Sequence, residues 1–191
     1  MHVQHFLKQL VTNVDSIGAV TASSSVLARA IVEHARVREA KFVLEFGPGT
    51  GVFTGKIIEA LPEESGFFAM EVNSKFVDIV RRRFPSTNVI HDSATEAGRY
   101  LQEHGRESCD SIVSGLPFAV FDDELQDAIL DEVDRILEPG GIFVTFTYVL
   151  APLTKKGRNI RRKLYERFSS VTVSPIIWRN LPPAFLYCAK I

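Results

Sequence analysis

Cysteine is scarce in this chain: its 191 residues include only Cys109 and Cys188, each inside an apolar run. Two isolated thiols make no disulfide framework, and no Cys/His spacing matches a zinc site. His2, His5, His34 and His104 show no ligand arrangement, so no metal is expected. A reducing, cytoplasmic setting is the expectation. Charge of one sign is also lacking. Lys and Arg number 22 against 23 Asp and Glu, for a net charge of −1. That balance weighs against nucleic acid as a partner. Long hydrophobic runs are missing too. The longest, 142–153, is too short to span a bilayer and contains two threonines. The opening MHVQHFLKQL has neither the basic start nor the long apolar core of a signal peptide. Internal repeats and low-complexity segments are absent. What remains is 46% hydrophobic and 24% charged, the balance of one globular domain, with a monomer expected.

Periodicity supplies the architecture. Val3, Phe6, Leu7, Leu10, Val11 and Val14 share one side at helical spacing. In TASSSVLARAIVEHARV, Ser23 to Ser25 offer N-caps, and Val26, Leu27, Ala30, Ile31 and His34 recur as a helix face. From KFVLEF onward, apolar strands alternate with helices: GFFAMEV, TNVIHDS, CDSIVSGL and IFVTFTYV are strands. DDELQDAILDEVDRIL is a long helix capped by Asp122, and EPGG after it reads as a turn. This alternation predicts a parallel α/β sheet with helices on both faces. The end differs. SSVTVSPIIWRN and AFLYCAKI read as two strands joined by LPP, so one is antiparallel. The basic stretch TKKGRNIRRKLYERF before them reads as a helix.

The first strand runs into EFGPGTG, with glycines at 47, 49 and 51. Glycine is costly to order, so three at alternate positions need a reason. In an open parallel sheet, ligands sit beyond the carboxyl ends of the strands, where this loop falls. A P-loop needs Gly-Lys-Ser/Thr after its spacer, and Lys56 lies too far on. A dinucleotide loop wants its third glycine one residue later, where Val52 stands. A purely structural turn stays open as the alternative.

The pattern E-x-G-x-G-x-G resembles the first motif of class I S-adenosylmethionine-dependent methyltransferases. Glu71 ends the second strand, 24 residues after Gly47, and Asp92 ends the third. SGLPF at the end of the fourth, LEPGG before the fifth and the closing hairpin follow the same order. The resemblance implies a Rossmann-like sheet of seven strands, one antiparallel, with an N-terminal helical extension. It also implies S-adenosylmethionine as cofactor and S-adenosylhomocysteine as product. Glu45, Gly47, Gly49, Thr50 and Gly51 would cradle the methionine and ribose, with Glu45 reaching the ammonium through water. Glu71, with Val72 beside it, would accept from the ribose hydroxyls. Asp92, Ser93 and Ala94 would meet the adenine, although Asp92 could equally be a helix N-cap. Ser114, Gly115 and Pro117 would shape the loop beside the transferable methyl. Residues 39–191 form the methyltransferase domain on this reading. Residues 1–38 form a helical segment that touches a membrane surface or covers the cofactor.

GAVTASSSVLARAI (18–31), SGLPF (114–118) and NLPPAF (180–185) further resemble the small bacterial phospholipid N-methyltransferases. That resemblance implies a lipid amine as acceptor, phosphatidylethanolamine first, and a peripheral location on an anionic inner membrane face. Cousins of that family, the rRNA adenine dimethylases, are the main alternative, followed by a small-molecule enzyme or a binding protein without turnover. The dimethylases resemble longer chains with a helical C-terminal domain. They also carry Asn or Asp where this chain has Ser114 or Gly115.

An amine must lose a proton before it attacks. Tyr148 and His91 are candidate bases by location, with water the alternative. Phe118, Phe121, Tyr148 and Trp178 could face a growing methylammonium, or be plain core. Arg158, Trp178, Arg179 and Asn180 are the headgroup candidates. Lys155, Lys156, Arg158, Arg161, Arg162, Lys163 and Arg167 have only Glu166 as a nearby acid. They are expected either to attract anionic headgroups or to form a solvated face. Arg81, Arg82 and Arg83 read as a solvated helix end.

Overall fold

The structure, a computed structural model, describes residues 25–191. The Val3–Val14 stripe, His2, His5 and residues 18–24 lie outside the described residues. Seven strands form one sheet: β1 (Phe42–Phe46), β2 (Gly66–Met70), β3 (Asn88–Ile90), β4 (Cys109–Ser114), β5 (Leu137–Tyr148), β6 (Ser170–Val173) and β7 (Ala184–Lys190). The described helices are α1 (Ser25–His34), α2 (Val52–Ala60), α3 (Ser74–Arg83), α4 (Ala97–Glu103), α5 (Asp123–Ile136) and α6 (Lys155–Arg167). The strand order is β3-β2-β1-β4-β5-β7-β6. Strands β1 to β5 pair in parallel, and β7 runs antiparallel to both of its neighbours.

All of β1 is buried, because helices cover both faces of the sheet. Phe42, Leu44 and Phe46 point to one face, where α4, α5 and α6 contribute Leu101, Leu130 and Leu164. Val43 points to the other, among Leu27 and Ile31 of α1 and Phe53 and Ile57 of α2. The buried stripe of α1 is Leu27, Ala28, Ile31 and Val32, continued by Ala35. It sits one residue off the expected stripe, and His34 is exposed, bonding Ala30 O. Cys109 and Cys188 are free and buried.

Local chemistry sets the helix starts. Asp122 accepts from Leu125 N, Asn73 from Lys75 N and Thr154 from Gly157 N, each an N-cap. The EPGG segment is not a free turn, because β5 begins at Leu137 and runs through it. The register against β4 shifts between Cys109 and Ser111, and Gly140 absorbs the irregularity at φ 83°. After β6, Ile177 makes a single bridge to Ala184, so the last hairpin frays into a loop. That loop ends in a cis Leu181–Pro182 bond.

Candidate functional site

The chain order reverses at β1, which lies between β2 and β4, making a switch point at their carboxyl ends. The loops leaving β1 and β4 meet there. Gly47 N–H donates to Met70 O at 2.9 Å, and Gly115 N–H donates to Phe46 O at 2.7 Å. A Cβ on Gly47 would fall 2.7 Å from Leu116 Cδ2, and one on Gly51 would fall 2.8 Å from Phe84 Cε2. Packing inside the protein accounts for those two glycines. Gly49 is different: its φ is 54°, and no atom of the described residues lies within 4 Å of where its Cβ would be. Its bare backbone borders open space that a ligand can enter. Thr50 and Gly51 complete the turn into α2.

Three acids line the same edge. Glu45 is fully buried, and its Oε2 accepts from Thr54 Oγ1 at 2.7 Å. Its Oε1 has no hydrogen-bond partner among the described residues. Burial pushes the Glu45 carboxyl up to about 8, against the Thr54 bond. A buried acceptor left unmatched is the feature a cationic ligand, directly or through water, would satisfy. Glu71 is buried and bridges two backbones: Oε2 accepts from Gly49 N at 3.1 Å and Oε1 from Asn73 N at 3.0 Å. Burial raises its carboxyl as well, and those N–H donors oppose the rise. Val72 beside it is exposed.

Asp92 ends β3. Its Oδ2 accepts from Tyr100 OH and Arg99 Nη2, both at 2.8 Å, and Oδ1 from Ser93 N at 2.7 Å. These donors, the Tyr100 hydroxyl first, hold it below the usual carboxylate range. The cap on the following turn comes from Ser93, which accepts from Thr95 N, and Ala94 is buried beneath it.

The base candidates separate. His91 is exposed at the end of β3, with Nε2 3.1 Å from Val72 O. Tyr148 ends β5, four strand spacings away in the order, roughly 19 Å between strand axes. One reacting methyl cannot lie beside both. Tyr148 packs against the cluster of Ala119 and Ala151, and burial raises its hydroxyl above the usual value. Ser114 is buried, and its Oγ accepts from Leu116 N. Pro117 is half-buried. Phe118 is core, edge-on to Phe143 and Phe121, so its ring faces no solvent-side cation.

The headgroup candidates gather near the end of β5. Val149 N donates to Pro183 O, which ties the 174–183 loop to it. Trp178 and Arg179 are exposed there, while Asn180 is buried and donates from Nδ2 to Pro182 O. Trp178 is 70% exposed, Leu181 78% and Leu153 69%, so three large apolar side chains face solvent. The basic helix is divided. Lys163 is buried against Asp127 at 2.9 Å, and Arg167 reaches Asp127, Asp131 and Asp134 on α5. Lys155, Arg158, Arg161 and Arg162 remain exposed, with Arg158 bonding Leu153 O and Arg162 paired to Glu166.

Several contributors carry no sequence motif. Arg83 donates to Thr50 O and so pins the glycine loop; Arg81 donates to Val89 O at 2.6 Å. All three arginines of that helix end are exposed, as expected, and two of them also bond backbone carbonyls. Arg99 and Tyr100 on Asp92, and Gln126 behind the 117–121 loop, carry no motif either, while Lys156, expected in the basic face, turns to Val120 O instead.

A family model described as a methyltransferase domain matches residues 43–141. The ornithine lipid N-methyltransferase of Singulisphaera acidiphila is 29% identical over 97% of this chain and 94% of its own. The ribosomal RNA small subunit methyltransferase A of Prosthecochloris aestuarii is 28% identical over 48% of this chain, but only 33% of its own. In three dimensions, an O-methyltransferase from Bacillus cereus, solved with SAH, superposes with a TM-score of 0.67. It is 14% identical over 96% of this chain and 90% of its own. TomG, an O-methyltransferase of Streptomyces achromogenes solved with SAM, gives 0.67 at 18% identity, over 98% of this chain and 89% of its own.

Proposed function

The chain belongs to the methyltransferase-domain family, as a class I S-adenosylmethionine-dependent methyltransferase, and we propose that its acceptor is the primary amine of a membrane lipid headgroup. Phosphatidylethanolamine is the first substrate in this reading, and an ornithine lipid the second. The observation that carries it is the rim of the site. Solvent-facing Leu153 and exposed Lys155 and Arg158 follow β5, solvent-facing Trp178 and Leu181 and exposed Arg179 lead into β7, and Val149 N–H bonding Pro183 O joins the two segments at the carboxyl end of β5. Apolar anchors ringed by cations suit an anionic bilayer surface, each cation contributing about 1 kcal/mol near it. A lipid amine then reaches the site without leaving the membrane. The full-length match to a protein named for a lipid substrate supports the same reading.

The donor supplies an activated sulfonium methyl, so the protein's work is placement. Gly49 and its neighbours would receive the methionine and ribose, and Glu45 Oε1 would answer the ammonium. Glu71 keeps lone pairs beyond its two backbone bonds and would accept from the ribose hydroxyls. Asp92, steadied by Arg99 and Tyr100, would accept from the adenine amine, and Val72 would cover that ring. Ser114, Gly115 and Pro117 would border the methyl. Tyr148 keeps its proton near neutral pH, so it is an unsuitable base, and water takes the acceptor's proton in this scheme. Its ring, with Trp178, would instead face the methylated ammonium. Arg158 and Arg179 would meet the headgroup phosphate.

Expression in a bacterium that lacks methylated lipids, followed by lipid mass spectrometry, tests the proposal. Methylated phosphatidylethanolamine or ornithine lipid is the expected product. An unchanged lipid profile, with methyl transfer to rRNA fragments by the same protein, would overturn it in favour of an adenine dimethylase.

A further inference from the structure

The loop that follows SGLP is held from behind by two side chains on different helices. Lys156, in the first turn of α6, donates from Nζ to Val120 O at 2.8 Å. Gln126, on α5 and fully buried, donates from Nε2 to Phe118 O at 2.8 Å and to Lys156 O at 3.2 Å. One amide thus links both partners: it bonds the loop and the backbone of the residue that bonds the loop. Both acceptors are carbonyls, so only a side chain with two N–H donors at that depth satisfies them. Leu has none, and Glu would set oxygens against oxygens.

The same turn of α6 is fixed on its other side. Thr154 Oγ1 donates to Ala151 O at 2.8 Å and accepts from Gly157 N at 3.0 Å. A Cβ on Gly157 would overlap Ala151 O, so α6 is pressed onto the turn that carries exposed Leu153. The loop at the carboxyl edge of β4 and the apolar tip of the rim are therefore fastened to one piece of helix.

We propose that Lys156 and Gln126 are positioning residues, which lock the Pro117–Phe121 loop to the start of α6 and so set the acceptor's line of approach to the methyl. The loop's place beside the methyl rests on the function proposed above; the fastening itself does not. Neither side chain touches the donor's cradle, so their loss acts on turnover and leaves donor binding alone.

The test compares wild type with Lys156→Met, Lys156→Arg and Gln126→Leu. Amide hydrogen exchange is read at Val120 and Phe121, whose N–H groups bond Pro117 O and Phe118 O. Calorimetry without acceptor gives S-adenosylmethionine affinity, and kinetics on phosphatidylethanolamine vesicles give kcat and KM. In Lys156→Met and Gln126→Leu the two amides exchange faster, and kcat falls by about tenfold to a hundredfold, the cost of a small misplacement. Donor affinity stays within about twofold of wild type and KM holds, the pattern of an interaction felt only in the transition state. Lys156→Arg, which keeps a donor, restores both exchange and kcat. Unchanged exchange, unchanged kcat, an Arg variant as poor as the Met variant, or donor affinity lost in step with kcat would each overturn the proposal. If wild type turns over no lipid, the acceptor reading falls, and the exchange measurement alone decides this one.

Discussion

Gly115 lies so close to Gly47 that a Cβ at 115 would overlap the Gly47 carbonyl oxygen, while Gly115 N–H holds Phe46 O at 2.7 Å. The loops leaving β1 and β4 are therefore one unit, and neither moves without the other.

Gly115→Ala should separate those loops, because the obstructing atom is backbone and not the end of a flexible side chain. The expected outcome is a lower melting temperature and S-adenosylmethionine affinity reduced by roughly tenfold or more. Gly49→Ala is the contrast. No atom of the described residues obstructs it, so the fold loses only about 1 kcal/mol for the left-handed backbone. Affinity should still fall, since the new methyl enters the ligand's space. Calorimetry and thermal melts on both variants read the difference.

Glu71→Gln and Glu71→Ala should divide two roles. The wild-type carboxylate receives Gly49 N–H and Asn73 N–H and is proposed to receive the ribose. Loss of charged hydrogen bonds predicts about tenfold to a hundredfold weaker donor binding in Glu71→Ala. Glu71→Gln keeps acceptors for one side only and should fall between. Affinity equal to wild type in Glu71→Ala would remove the ribose assignment.

Glu45 sets a pH dependence. Burial raises its carboxyl from 4.5 to about 8 in the folded chain, and Glu71 shifts the same way. An acid raised in the folded state contributes stability that is full below its unfolded pKa. That contribution is lost as pH rises through the folded value. Unliganded wild type should therefore lose melting temperature between about pH 5 and pH 8.5, and Glu45→Gln should lose less over that interval. Parallel curves for the two proteins would contradict the burial of an unmatched carboxyl.

The rim is testable without chemistry. Replacing Trp178 and Leu181 together with Ala should weaken binding to anionic vesicles and leave donor affinity unchanged. Added salt should weaken binding of wild type further, because exposed Lys155, Arg158 and Arg179 contribute through screened charge. Vesicle flotation reads both.

Sequence carried the sheet and the place of the glycine loop further than it carried the supports. Strand–helix alternation and the offset glycines are local patterns, so β1 to β5, and Glu45, Glu71 and Asp92 at the strand ends, were legible. EPGG was misread as a turn because glycine pairs mark turns, while here β5 crosses them through a register shift against β4. Two cations of the basic run on α6, Lys163 and Arg167, turn inward because acids spaced along α5, at Asp127, Asp131 and Asp134, stand one helix away. That pairing is tertiary, and no spacing within α6 announces it. The same holds for Arg83 on Thr50 O, a contact between residues 33 apart in the chain. His91 and Tyr148 looked equivalent as strand-end residues; only the strand order shows that they stand far apart.

The most direct test of the account follows labelled methyl from S-adenosylmethionine into vesicles of phosphatidylethanolamine or ornithine lipid carrying anionic lipid, with rRNA fragments run in parallel. Label is expected in the lipid amine and none in the RNA. Label in RNA adenine, with the lipids unlabelled, would contradict it.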